Sequence, residues 1–228
     1  MMFCCLKNCL NGVIPAPSVP LKREHDPIQL DTSHMGHEVV VIKGGQRACG
    51  SGGVLANTPL LQSKSYFEVK LQQGGHWSIG LATQNADLNQ SLGGFDKDSW
   101  CLNSDNCVYH NAKLIHKLER KSTGTNGKSP PLTQHVDDKL ESPLNAPQLV
   151  NDTGLPDEGD IIGVAYDHVE LNFYLNGTNL NVPVLNVRGT VFPCIFVDEG
   201  AILDIVLDNF SSSPPPGFER ILIEQSLL

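Results

Sequence analysis

The chain is short of positive charge. Its 228 residues include 16 Lys and Arg against 25 Asp and Glu, a formal net charge of -9 at pH 7. A nucleic-acid-binding protein needs a cationic face for the phosphates, so the composition argues against such a partner. It also lacks any apolar run near the roughly 20 residues that a membrane-spanning helix requires. We therefore expect one globular domain with its own core.

The sequence also lacks a disulfide framework, since its seven cysteines are odd in number and irregularly spaced. The first residues lack the basic and apolar regions of a secretory signal. We therefore expect a cytoplasmic protein, although N-glycosylation triplets that can arise by chance begin at Asn151, Asn176 and Asn209. Cys194 lies in an apolar run and is interpreted as a small buried hydrophobe.

Two segments have compositions unlike a folded core. Residues 1–26 combine cysteines, prolines and a charged run, and are interpreted as a flexible arm. Residues at about 117–153 are polar and broken by prolines, which predicts a disordered insertion. Residues 211–228 begin with an extended proline-rich passage. Apolar residues follow it, and we expect their side chains to pack on the domain.

The arm carries Cys4, Cys5 and Cys9 beside apolar residues. Acylation of two or three of these thiols would anchor the protein stably to a membrane, whereas one chain would bind only marginally. The alternative is that they are free thiols in a disordered arm. Both interpretations stay open, and acylation would make the protein a membrane-tethered adaptor.

Alternating side chains predict β-strands. In residues 169–175 the apolar positions are Val169, Leu171, Phe173 and Leu175. Polar residues stand between them, so one face should be buried. Asn176-Gly177 then supplies the two positive φ angles of a type I′ hairpin turn.

A second alternating stretch covers residues 66–83 around the glycines Gly74 and Gly75. The apolar positions are Phe67, Val69 and Leu71 before the turn, and Trp77, Ile79 and Leu81 after it. Before the turn, the apolar positions alternate with Tyr66, Glu68 and Lys70, which are predicted to form the opposite face of the strand. The pattern indicates two strands joined by a sharp turn.

Several residues suggest chemistry without completing a site. His34 and His37 lack further metal ligands nearby, so we predict no metal site. His168 beside Asp167 has no nucleophile placed by a motif, which leaves an enzyme as a distant alternative. Glycines at 50–53 lack the lysine ending of a phosphate loop and are interpreted as a β-bulge or tight corner. No cofactor is predicted.

The two tryptophans differ in context. Trp77 alternates with core residues and should be packed. Trp100 lies in a polar run and is predicted to be the exposed aromatic, available to a ligand.

Three separated motifs in order resemble the SPRY domain family. They are Tyr66-Phe-Glu-Val with Ile79-Gly-Leu-Ala-Thr83, Asp160-x-x-Gly163-x-x-x-Asp167 followed by Phe173-Tyr-Leu-Asn176-Gly177, and Val191-Phe192-Pro193. The resemblance runs from about residue 30 to 210. It implies an all-β fold, a bent antiparallel β-sandwich of the concanavalin-like jelly-roll type, over residues 27–210.

The same resemblance implies a non-catalytic, standalone module that binds a partner protein or peptide through loops at one end of the sandwich. It assigns to that end Gly74, Gly75 and His76, together with Asp198, Glu199 and Gly200. Because Asp198 and Glu199 make the rim acidic, we expect a basic partner segment. We expect the domain to be monomeric and Asp167 to be a turn residue.

Overall fold

The structure, a computed structural model, describes residues 27–119 and 154–223. All regular elements in these ranges are strands, so the predicted all-β class is confirmed. The first eight are β1 Leu30–Met35, β2 Glu38–Ile42, β3 Arg47–Ala56, β4 Ser65–Gln73, β5 His76–Ala82, β6 Ser99–Asn103, β7 Cys107–His110 and β8 Lys113–Lys117. The others are β9 Ile161–Tyr166, β10 Glu170–Leu175, β11 Thr178–Asn179, β12 Val184–Leu185, β13 Phe192–Asp198, β14 Ile202–Val206 and β15 Glu219–Arg220.

Within the two described ranges, no helix is long and apolar enough to cross a membrane. The predicted arm, with Cys4, Cys5 and Cys9, lies outside the described residues. Most of the predicted insertion lies outside them as well. At its start, Lys117 still belongs to β8 and Leu118 is buried in the core.

The strands form one strongly curled sheet whose two halves face each other. One half runs β11–β10–β9–β4–β14 and ends on the first part of β3, which also pairs with β2. The other half continues from the second part of β3 through β13, β5, β6 and β7 to β8, with β1 beside β3. All neighbours are antiparallel except β15, which runs parallel to β4.

β3 belongs to both halves because glycines bend it. Its first residues pair with β14, whereas residues 52–55 pair with β13. Gly50 and Gly52 have φ angles of 98° and 120°, which L side chains rarely adopt. A Cβ on Gly50 would lie 2.2 Å from the carbonyl oxygen of Glu38. The interpretation of this glycine run as a tight corner is confirmed.

Inward side chains from both halves form one buried cluster, which includes Phe67, Trp77, Leu171 and Phe173. The packed position predicted for Trp77 is therefore confirmed. The prediction for Val169 is wrong: its side chain is exposed, because β10 begins only at Glu170, after a turn.

On the outer face of β4, Tyr66 and Glu68 are buried, contrary to the solvated face that simple alternation predicts, whereas Lys70 is exposed. Glu68 is 0 % exposed, and its carboxylate accepts hydrogen bonds from the backbone N–H of Ser211 (2.7 Å) and Ser212 (3.0 Å) and from the Tyr66 hydroxyl (3.1 Å). The Phe210 ring packs edge-on against Tyr66 with centroids 4.9 Å apart. The chain after β14 therefore covers this face.

The loop between β5 and β6 covers the outer face of the other half. A second buried cluster there includes Cys101, Cys194 and Phe196, with Leu88 of the loop packed against it. The loop is held by Asp96, whose carboxylate accepts hydrogen bonds from the Asp87 and Asp98 amides and the Ser99 hydroxyl. The buried position predicted for Cys194 is confirmed.

Candidate functional site at one end of the sandwich

Two turns that cross between the halves lie side by side. Gly74-Gly75 joins β4 to β5, but β4 pairs with β14 and β9 whereas β5 pairs with β13 and β6. The predicted turn is present, and it is a crossover between the two halves that does not close a hairpin. The second crossover, Glu199-Gly200, joins β13 to β14 with φ angles of 47° and 85°.

Gly75 locks the two crossovers together. Its φ of 140° already favours glycine, and a Cβ there would lie 2.5 Å from the Ala201 nitrogen and 2.8 Å from the Glu199 carbonyl oxygen. Since the Ala201 N–H also donates to the Asp198 carbonyl over 3.0 Å, the second turn is closed by its own hydrogen bond. The backbone at this end is therefore tightly constrained.

The structure brings together the residues assigned to this end. His76 and Asp198 are paired across β5 and β13. His76 Nε2 lies 3.5 Å from Glu199 Oε2, and both side chains are exposed. The arrangement presents an imidazole and two carboxylates above tightly constrained turns.

Glu158 is a member of this surface that sequence reasoning missed. Its Oε2 accepts a hydrogen bond from the Gly74 N–H over 3.1 Å. The loop before β9 is held there because the Gly159 N–H donates to the Leu71 carbonyl over 2.8 Å. A signal was available, since an acidic turn directly precedes β9 and antiparallel pairing of β4 with β9 returns that turn to the end of β4.

The prediction for Trp100 is wrong. Its side chain is only 3 % exposed, and its ring stacks on His110 with centroids 4.5 Å apart and an interplanar angle of 9°. Its side chain lies on the inner face of β6 and belongs to the main buried cluster, so polar neighbours in sequence do not expose it. Trp100 pairs with Leu81 near the far end of β5, away from His76.

The residues considered for catalysis or metal binding have structural contacts. His168 Nε2 donates to the Gln62 carbonyl over 2.9 Å. Asp167 Oδ1 accepts from the amides of Val169 (3.0 Å) and Glu170 (2.8 Å), which confirms Asp167 as a turn residue. His34 Nδ1 lies 2.7 Å from Asp31 Oδ2. Among residues 27–119 and 154–223, no group of three or more His, Cys, Asp and Glu could hold a metal ion.

Known proteins are similar in sequence to nearly the whole of this chain. The model of the SPRY domain matches residues 64–210. SPRY domain-containing protein 7 of Bos taurus is 44% identical over 226 residues, covering 99% of this chain and 97% of that protein. The Homo sapiens protein of the same description is 43% identical over 226 residues, with the same coverage of 99% and 97%.

A solved structure has the same fold at low identity. The crystal structure of the TRIM65 PSpry domain superimposes with a TM-score of 0.51 at 13% identity, covering 79% of this chain and 92% of that chain. At this identity the likeness concerns the fold alone.

Proposed function

The chain belongs to the SPRY domain family, whose members are typically protein-interaction modules, and from this membership we propose that it is a non-catalytic recognition domain. Its binding surface would be the end of the sandwich formed by Gly75, His76, Asp198 and Glu199, with Glu158 beside them. The ligand would be an extended, basic segment of a partner protein.

The rigidity of the two crossovers supports this proposal. Association costs free energy whenever loops must be ordered on binding. Here the Gly75 contacts and the Ala201–Asp198 hydrogen bond already order the backbone that carries His76, Asp198 and Glu199. A partner would therefore meet a preformed surface.

The charge of this surface supports a basic ligand. Glu158 and Glu199 are exposed and Asp198 is partly exposed, so this surface carries three carboxylates and one imidazole. Complementary charge across an interface raises the association rate and rejects partners of the wrong sign. An acidic segment would be repelled.

Charge reversal tests the proposal. We expect Asp198→Lys with Glu199→Lys to abolish binding of basic peptides selected from a library on the unaltered protein, with no fall in Tm. Binding of these peptides to the unaltered protein should weaken as salt is added, because exposed charges are screened. Fluorescence anisotropy and a thermal melt measure both properties.

A matched control reverses two charges at the other end of the sandwich. Asp208 and Glu219 are exposed, and β15 pairs Glu219 with Ser65 at the start of β4, whereas the proposed surface adjoins its end. Asp208→Lys with Glu219→Lys makes the same change in net charge and should leave binding intact. Equal binding by both double variants would show that the surface is misassigned.

A further inference from the structure

The free edges of the sheet differ in how they are protected. β11, β12 and β15 have two residues each. β8 has an irregular register with β7 and a lysine at either end, Lys113 and Lys117, and β1 has a register shift against β3. Short length, bulges and lysines are the devices by which natural edge strands avoid pairing with other chains.

Within its bounds, Glu38–Ile42, β2 has no lysine, no bulge and more than two residues. Its five residues pair in unbroken register with β3, from Glu38 opposite Ser51 to Ile42 opposite Arg47. It pairs with no other strand in the ranges 27–119 and 154–223. On its outer face, Val40 is 50% and Ile42 is 47% exposed. β2 is therefore a regular edge with an apolar outer face.

Among the residues that the structure describes, the backbone of β2 also presents outward hydrogen-bonding groups at Val41, whereas the Val39 N–H donates to the Gly36 carbonyl over 3.2 Å. The Gln46 N–H donates to the Ile42 carbonyl over 3.2 Å, and the Glu38 carbonyl faces Gly50 of β3. Because backbone groups alternate in direction along an antiparallel strand, the N–H and C=O of Val41 point away from β3. They can pair with an added strand.

Charge differs between the two ends of β2. Near the C-terminal end of β2, Lys43 Nζ and Arg47 Nη2 each lie 2.9 Å from Asp204 Oδ2, so two cations share one carboxylate. At the start, Glu38 is exposed on the same face as Val40 and Ile42. The edge is therefore positive at one end and negative at the other, with an apolar centre.

We propose that β2 binds an extended segment of a partner protein as an additional antiparallel strand. Branched apolar residues of that segment would face Ile42 and Val40 at alternate positions. An acidic residue would stand before them near Lys43 and Arg47, and a basic residue would follow opposite Glu38. The motif, from its N-terminus, is acidic-x-apolar-x-apolar-x-basic.

This strand lies outside residues 64–210 and is separate from the surface proposed above, so the two proposals are independent. A second copy of the chain is a less suitable occupant. A five-residue strand pair buries far less than the roughly 1,200 Å² of a stable interface. Two chains of net charge -9 also repel each other.

The test uses two synthetic peptides of identical composition, Glu-Thr-Ile-Thr-Val-Thr-Lys and Lys-Thr-Ile-Thr-Val-Thr-Glu. We expect the first to bind at least about tenfold more tightly. It should also slow hydrogen exchange of the Val41 amide, measured by NMR on the full chain. In Val41→Pro the outward N–H is absent and the bonds to β3 are kept, so binding should be lost, whereas Val41→Thr should retain it.

A second variant keeps the proposal falsifiable if Val41→Pro fails to fold. Glu38→Lys should abolish the preference for the first peptide without affecting the fold. Equal affinity for both peptides, a preference for the second peptide, or unchanged exchange at Val41 would each overturn the proposal. Concentration-dependent dimerisation in sedimentation, with protection of Val41 in the absence of peptide, would overturn it in favour of a second copy.

Discussion

Asp204 on β14 is a buried carboxylate, 4 % exposed, held between two cations. Burial by itself would raise its pKa, but the hydrogen bonds from Arg47 and then Lys43 outweigh that effect and hold the pKa below its usual value. A carboxylate with a lowered pKa contributes stability above its unfolded-state pKa of about 4, and this stability is lost as the pH falls through the folded-state pKa.

We therefore predict that Asp204→Asn lowers the free energy of unfolding at pH 7 by about 2 kcal/mol, because the cations lose their charged acceptor. The difference between the two proteins should shrink as the pH falls from about 4, where Asp204 of the unfolded chain becomes protonated, through the lower folded-state pKa. Urea denaturation at several pH values measures it. A difference independent of pH would contradict the role of the charge.

Gly75 and Gly74 provide a matched pair of adjacent glycines. Gly75 has a φ of 140° and backbone atoms within 3.0 Å of a hypothetical Cβ, whereas a Cβ on Gly74 would lie 3.8 Å from the Glu158 carboxylate. We predict that Gly75→Ala destabilises the protein by about 1–3 kcal/mol and Gly74→Ala by less. Equal melting temperatures for the two variants would show that the crossovers are not locked together as inferred.

Among the elements, the chain after β14 depends on β4 for its position. Glu68 accepts two consecutive backbone N–H groups of that chain, and Ile221 beyond β15 is buried in the main cluster. An ionised carboxylate has no proton to donate, so it suits three donors, whereas a glutamine amide would direct N–H groups at N–H groups. The contact between Glu68 and the chain after β14 therefore requires a carboxylate at this position.

We predict that Glu68→Gln releases this segment before the rest of the protein unfolds. Hydrogen exchange of the Ser211 and Ser212 amides should accelerate, with a loss of about 1–3 kcal/mol in stability. Tyr66→Phe is the control, because it removes one hydroxyl donor and keeps the ring contact with Phe210. Unaltered exchange at Ser211 in Glu68→Gln would contradict the prediction.

For the molecule as a whole, Cys101 and Cys194 report on cooperative unfolding. Their Sγ atoms lie 3.7 Å apart and both side chains are buried. They lie on the two neighbours of β5, on either side of Gly80, so two interstrand spacings separate their Cα atoms, which exceeds the ~7 Å limit for a disulfide. Gly80 between them has no side chain and lets the two sulfurs approach.

We predict that neither thiol reacts with a labelling reagent until the whole domain opens. Burial raises the pKa of the Cys194 thiol, which further reduces its reactivity. The partly exposed Cys49 should react before both of them and serves as the internal control. Mass spectrometry after labelling at increasing urea would contradict the prediction if Cys194 reacted as early as Cys49.

The sequence by itself determined the local features of the fold. The buried positions of Leu171 and Phe173 follow from period-two alternation, and the hairpin at Asn176-Gly177 follows from residues that tolerate positive φ, here 48° and 80°. Each depends on neighbours within a few residues, where side-chain direction and backbone sterics are local properties. The family motifs also assigned His76, Asp198 and Glu199 to one end.

Only the tertiary structure decided which surfaces meet water and which strands pair. Trp100 is buried because the inner face of β6 packs against the other half of the sheet, and Glu68 is buried because a segment more than 140 residues away covers it. Glu158 reaches the Gly74 N–H through the pairing of β4 with β9. Alternation of apolar and polar residues predicts that a strand has two different faces. Whether a face is exposed depends on segments distant in the chain, which the local sequence pattern does not identify.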